Sequence, residues 1–159
     1  MATVQHSALT GSNLHEPKGV AAATVGQFYK ADGAGSGVWT NREHILNIAI
    51  DNVNLAASTY VVSPYAGTIE KAYTVVLDNI SEQFGSDVII TLKIAGVNVT
   101  NGAITIDVTG QSAPAGTVDS CTPTAARTVT AGQAIQLSCN GLALSDARVW
   151  VTIVIKRTT

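Results

Sequence analysis

The strongest constraint in this chain is a period of two. Leu46, Ile48 and Ile50 alternate with Asn47, Ala49 and Asp51, and Val88, Ile90, Leu92 and Ile94 alternate with Ile89, Thr91, Lys93 and Ala95. Ile104, Ile106 and Val108 alternate with Thr105, Asp107 and Thr109, and Ile135, Leu137 and Cys139 repeat the pattern. The last run sets Val149, Val151, Ile153 and Ile155 on one face. Successive side chains of a strand point to opposite faces, so each of these runs has one apolar side to bury; a helix would need apolar residues every three to four positions. Tyr60 to Val62 adds a short strand closed by Ser63-Pro64-Tyr65-Ala66-Gly67. Another run puts Ile69, Tyr73, Val75 and Leu77 together, with Lys71 as the exception on that face. Asn101-Gly102 reads as a hairpin turn, and Leu55-Ala56-Ala57 as a single helical turn. Seven or eight short strands separated by Gly, Pro and Asn predict an all-β fold, an antiparallel β-sandwich. A jelly roll is the expected topology and an immunoglobulin-like sandwich the second choice.

The first 41 residues break this pattern. Leu14 to Thr40 carries Gly19, Gly26, Gly33, Gly35 and Gly37, five of the chain's 14 glycines, and its large side chains, Leu14, Phe28, Tyr29 and Trp39, stand apart. Ordering a residue costs about 1–2 kcal/mol, more than so little apolar surface returns. Such a segment gains order by lying along another surface, with aromatics as anchors and glycines letting backbone approach backbone. Residues 1–41 are therefore expected to be an extended, mostly irregular docking arm, and residues 42–159 a β-domain large enough to hold its own core.

Charged residues are 13% of the 159, against about 25% in ordinary soluble proteins, while hydrophobic residues are 46%. No apolar run approaches the ~20 residues of a membrane helix. Surface this poor in charge is expected to be hidden in an assembly. The net charge of −2 and the lack of a Lys/Arg cluster argue against nucleic-acid binding. MATVQHSALTGSN has neither the basic start nor the apolar centre of a signal peptide, so folding in a cytosol is expected, with Cys121 and Cys139 as free thiols. A disulfide between neighbouring strands is the alternative.

Motifs for chemistry are thin. Gly33-x-Gly35-x-Gly37 precedes a strand, not the helix and lysine of a phosphate cradle, and reads as a turn. His6, His15 and His44 lack metal-ligand spacing, and Asp51-Asn52-Val53-Asn54 lacks the glycine and glutamate of a calcium loop. The carboxylates are scattered and there is no G-x-S-x-G, so neither an enzyme nor a cofactor is expected. Trp150 and Ile89 point away from the apolar faces of their strands, and both are expected in a subunit interface, although a sugar-stacking role for Trp150 is the competing reading.

Ala8-Leu9-Thr10-Gly11, Leu14-His15-Glu16-Pro17-Lys18-Gly19, Gly26-Gln27-Phe28-Tyr29 and Ala31-Asp32-Gly33-Ala34-Gly35-Ser36-Gly37-x-Trp39 resemble the arm of tailed-bacteriophage head-fibre or capsid-decoration proteins. Val61-Val62-Ser63-Pro64-Tyr65-Ala66-Gly67-Thr68-Ile69 resembles the opening of the β-domain of such virion proteins. The resemblance implies a homotrimer on the particle surface whose arm, through Leu14, His15, Pro17, Phe28, Tyr29 and Trp39, grips the major capsid protein. Related modules occur in tail fibres, so a receptor- or carbohydrate-binding module that contacts a host surface glycan is the alternative. An exposed pairing of Trp150 with Tyr65 would favour recognition.

Overall fold

The computed structural model describes residues 23–31, 37–81, 86–141 and 146–158; Leu14, His15 and Pro17 lie outside them. The chain divides into two compact units between Arg42 and Glu43. In the first, β1 (Gln27–Ala31) and β2 (Gly37–Asn41) form an antiparallel hairpin with Tyr29 opposite Trp39. The sequence reading places no strand before Glu43, because five-residue strands flanked by glycine carry too few apolar residues to show an alternation.

The second unit is built from β3 (Glu43–Ile50), β4 (Ser58–Val62), β5 (Gly67–Val76), β6 (Ile80–Ser81), β7 (Val88–Ile94), β8 (Val97–Ile106), β9 (Ser112–Ala113), β10 (Val118–Cys121), β11 (Thr128–Val129), β12 (Ala134–Cys139) and β13 (Val149–Arg157). Sheet one has the order β10-β5-β13-β3, with β11 also on β5, and sheet two the order β4-β12-β7-β8. Counting β10 and β11 as one interrupted strand, and setting aside the two-residue pair β6-β9, leaves eight strands. Their order is first-eighth-third-sixth in one sheet and second-seventh-fourth-fifth in the other, which is the connectivity of a jelly roll. Among the described residues there is no helix, and Leu55-Ala56-Ala57 is irregular.

The inward alternation makes the core. Ile69, Ile153 and Ile155 from sheet one face Ile90, Leu92, Ile104, Ile106, Ile135 and Leu137 from sheet two, all at most 1% exposed. Each such side chain contributes about 1.5–3 kcal/mol by leaving water. One flank of the sandwich is stitched between sheets: Thr100 N–H donates to the Ala125 carbonyl at 2.9 Å, and Thr124 N–H to the Thr100 carbonyl at 3.0 Å.

Two irregularities overturn sequence expectations. In β5 the partner of Val154 is Lys71 and that of Ile155 is Ile69, so Glu70 is an extra, bulged residue. The bulge inverts the alternation beyond it. Ala72, Thr74 and Val76 point inward, and Tyr73, Val75 and Leu77 belong to the outer face. Lys71, the misfit in the simple pattern, marks the bulge. The β7–β8 turn is at Ala95-Gly96, with φ of 51° and 80° as a type I′ turn requires. Asn101-Gly102 lies inside β8, at a bulge where Asn101 takes φ 55°. A Cβ on Gly102 would stand 2.7 Å from the Val99 Cβ, so the position needs glycine for space.

Candidate interaction surfaces

The hairpin of the first unit puts Tyr29 and Trp39 on one face, their rings edge to face at 5.4 Å. The two rings are thus in contact although they stand ten residues apart in the chain. A Cβ on Gly37 would collide with the Lys30 carbonyl oxygen and stand 2.8 Å from the Tyr29 ring, so the position needs glycine for space. The other face carries Phe28, Lys30 and Val38, with Phe28 39% and Val38 64% exposed. A two-stranded hairpin is marginal on its own in water, and this one carries large apolar side chains on both faces.

In the second unit, the outer face of sheet one carries an apolar row in register. Ala49 pairs with Trp150, Trp150 with Val75, and Val75 with Val118, so the row crosses all four strands. Trp150 is 40% and Val118 61% exposed, and Leu77 follows Val75 on the same face, also exposed. Asn47, Thr152, Tyr73 and Ser120 form the next row, and Ile45, Val154 and Lys71 the one after. The Lys71 ammonium lies 4.7 Å from the Tyr73 ring centre, and Thr152 Oγ1 donates to Asn47 Oδ1 at 2.8 Å.

The outer face of sheet two is polar across its middle. One row reads Tyr60, Gln136, Lys93, Asn98 and the next Ser58, Ser138, Thr91, Ala103. Ile89, Thr91, Lys93, Asn98, Ser138, Cys139 and Asn140 line a depression of about 300 Å³. Its rim is fixed by Asn140, whose Oδ1 accepts from Ile89 N–H at 3.0 Å and whose Nδ2 donates to the Asp87 carbonyl at 2.9 Å. Ile89 therefore lies on the opposite outer face from Trp150, among polar neighbours. Tyr65 does not pair with Trp150 either. It packs against the His44 ring at 5.0 Å and under the Arg157 guanidinium at 3.8 Å. Arg157 and Trp150 are seven residues apart on β13, about 23 Å at a strand's rise.

The titratable groups are mostly structural. Asp78 takes a double hydrogen bond from Arg148, at 2.8 and 3.0 Å, which holds its carboxyl at about 2. Thr109 and the Val108 backbone N–H lower Asp87 in the same way. Asp119 departs in the other direction, raised by burial and then by the charge of Asp107. It sits opposite Thr74 in register, and Asp119 Oδ2 and Thr74 Oγ1 are both buried without a hydrogen-bond partner. Cys121 and Cys139 are free and buried, and burial pushes both thiols up, away from the reactive thiolate. The Asp51-to-Asn54 loop is held by its own amides: Asn52 Oδ1 caps Asn54 N–H at 2.8 Å, and Asn52 Nδ2 donates to Asp146 at 2.7 Å. Among the described residues no group of three or more His, Cys, Asp or Glu is placed to hold a metal ion.

The apolar row on sheet one escaped sequence reading in part. Trp150 was legible from β13 alone, whereas Val75 and Val118 required the β5 bulge and the cross-strand register. The depression on sheet two carried no signal beyond the polar half of each alternation.

No family model matches the chain, and no curated protein matches it in sequence. Among solved structures, the chain is similar to a chain of the "Cyanophage Pam1 capsid asymmetric unit". The identity is 12% and the TM-score 0.43, over 99% of both chains.

Proposed function

We propose that this chain is a structural protein of a bacteriophage virion, a head-fibre or capsid-decoration protein. In this reading residues 1–41 bind the major capsid protein, and the jelly-roll body projects from the particle as a homotrimer. The observation that carries the reading is the hairpin: two short strands with Tyr29 and Trp39 on one face and Phe28 and Val38 on the other. Apolar residues on both faces of an element that cannot form a core suit it to insertion between partner surfaces. The resemblance of the arm's words to those of head-fibre and decoration proteins supplies the partner. Leu14, His15 and Pro17 would extend the contact toward the N-terminus.

The trimer contact is assigned to the apolar row around Trp150, because burying a contiguous row removes more apolar surface per ordered side chain than burying isolated residues. Ile89, which stands alone among polar neighbours, is the weaker of the two expected interface positions.

The test is co-sedimentation with particles that lack this component. Full-length protein should pellet with them, and protein lacking residues 1–41 should remain folded but stay in the supernatant. Phe28→Ala is the cleanest point variant, since Phe28 lies away from the Tyr29–Trp39 pair. Loss of a buried aromatic anchor commonly costs about 2 kcal/mol, roughly thirtyfold in affinity. Equal pelleting of full-length and truncated protein would move attachment onto the body.

A further inference from the structure

Buried side-chain oxygens in a folded protein normally have a hydrogen-bond partner. Among the described residues of the body two do not, Thr74 Oγ1 and Asp119 Oδ2, and they are neighbours. Asp119 on β10 stands opposite Thr74 on β5, so both side chains lie on the inner side of sheet one, where Thr74 is 1% exposed. Carboxylates elsewhere on the body are met by donors. Asp87 accepts from the Val108 and Thr109 N–H groups and the Thr109 hydroxyl, Asp78 from Arg148 twice, and Glu70 is paired with Arg127.

Thr74 and Asp119 share a row, yet no hydrogen bond joins them. Side chains opposite each other in an antiparallel pair start about 4.5–5.5 Å apart at Cβ. One ion that holds oxygens at about 2.3–2.6 Å spans two of them at that separation. The pair lies on the flank where β10 of sheet one approaches β8 of sheet two, the flank stitched at Thr100. Asp107 follows the end of β8, takes the Thr109 N–H at 3.1 Å on Oδ1, and its charge acts on Asp119.

The surroundings fix the charge of the missing partner. Ala72, Val76, Cys121 and Val151, next to the pair on the inner face, are all uncharged. A water would complete hydrogen bonds but leave two carboxylates facing each other with no opposing charge, whereas a cation answers both needs. The three donors are all oxygens, which suit a hard cation and not zinc.

We propose that Asp119, Thr74 and Asp107 bind a divalent cation of the calcium class between the two sheets. Asp119 and Thr74 ligate it from sheet one, Asp107 approaches from sheet two, and water fills the other positions. Calcium takes six to eight oxygens, so three from the protein make a weak site, with a Kd of about 0.1–1 mM. The bound ion ties β10 to the end of β8 across the flank. None of the residues assigned to attachment takes part, so co-sedimentation and cation binding can fail independently of each other.

The experiment is thermal unfolding of the full-length protein at pH 7 after chelator treatment, in about 10 mM calcium chloride or in sodium chloride of equal ionic strength. Calcium should raise the melting temperature of the body by about 5 °C, and sodium should not. Asp119→Asn and Thr74→Val should fold but lose the calcium shift, and Asp107→Asn should lose half of it or more. Calorimetric titration of the chelated wild type needs no variant and should show saturable binding of one calcium per chain. The absence of a calcium-specific rise would mean that a proton alone neutralises Asp119. That result, a titration without saturation, or a full calcium shift in Asp119→Asn would each overturn the proposal.

Discussion

The two sheets are alike inside and unlike outside. Both inner faces are packed with Ile, Leu and Val that are almost wholly withdrawn from water. On the outside, sheet one aligns Ala49, Trp150, Val75 and Val118 across its strands, whereas sheet two sets Gln136, Lys93 and Asn98 beside Ser138 and Thr91. Sheet two is not free of exposed apolar groups: Tyr60, Val62, Ile89 and Val97 all reach solvent. They are scattered to the edge strand and the strand ends, while those of sheet one are contiguous. Contiguity decides what a surface can do, since association releases water from a patch as a whole. One fold thus offers a contiguous apolar face and a polar face from the same alternating strands.

The largest expected effect tests the sameness of the interiors. Ile153→Ala in sheet one and Leu92→Ala in sheet two should each destabilise the body by about 2–5 kcal/mol, the range for deleting a buried aliphatic side chain. Denaturant unfolding measures both. A loss under about 1 kcal/mol in either variant would mean that its sheet contributes little to a shared core.

The next prediction breaks the outer difference. Changing Lys93 and Gln136 together to leucine would give sheet two an apolar row next to Tyr60, and the protein should then self-associate or precipitate at concentrations where the wild type is clear. Turbidity and sedimentation velocity report this. Unchanged behaviour would show that row contiguity is not what drives association.

A smaller effect comes from Asp119, a carboxyl on the inner side of sheet one that lies opposite Thr74. Burial raises the Asp119 carboxyl above its ordinary range, so the folded chain holds that proton more tightly than the unfolded chain does. Stability is then undiminished at low pH and falls as pH rises through the carboxylate range. Asp119→Asn should raise the melting temperature modestly at pH 7 and leave it unchanged near pH 3. A lower melting temperature at pH 7 would mean that the ionised carboxylate has a stabilising partner.

How much of this was legible in the chain follows from the range of each signal. Alternation in β3, β7, β12 and β13 is local, and spacing alone puts Leu46, Ile90, Leu92, Ile135, Leu137, Val151 and Ile153 on the faces that the structure buries. The β5 face was inverted past Glu70 because a bulge adds one residue to one strand, which only the partner's register reveals. Asn101-Gly102 carried a turn's composition, but the space beside Val99 and the link from Thr100 to Ala125 place it within a strand. The hairpin at Gln27–Asn41 was missed since its order rests on the Tyr29–Trp39 contact and not on a period. The surfaces were the least legible, because a row across four strands collects residues as far apart in sequence as Ala49 and Trp150.

The most direct test of the assembly face is the molar mass in solution, measured by light scattering at micromolar concentration for the wild type and for Trp150→Glu. A glutamate in the middle of the row would place an unpaired charge in the contact while leaving the core untouched. The account predicts the mass of three chains for the wild type and of one chain for the variant, with similar melting temperatures for the body. A monomeric wild type, or a Trp150→Glu variant that remains a trimer, would contradict it.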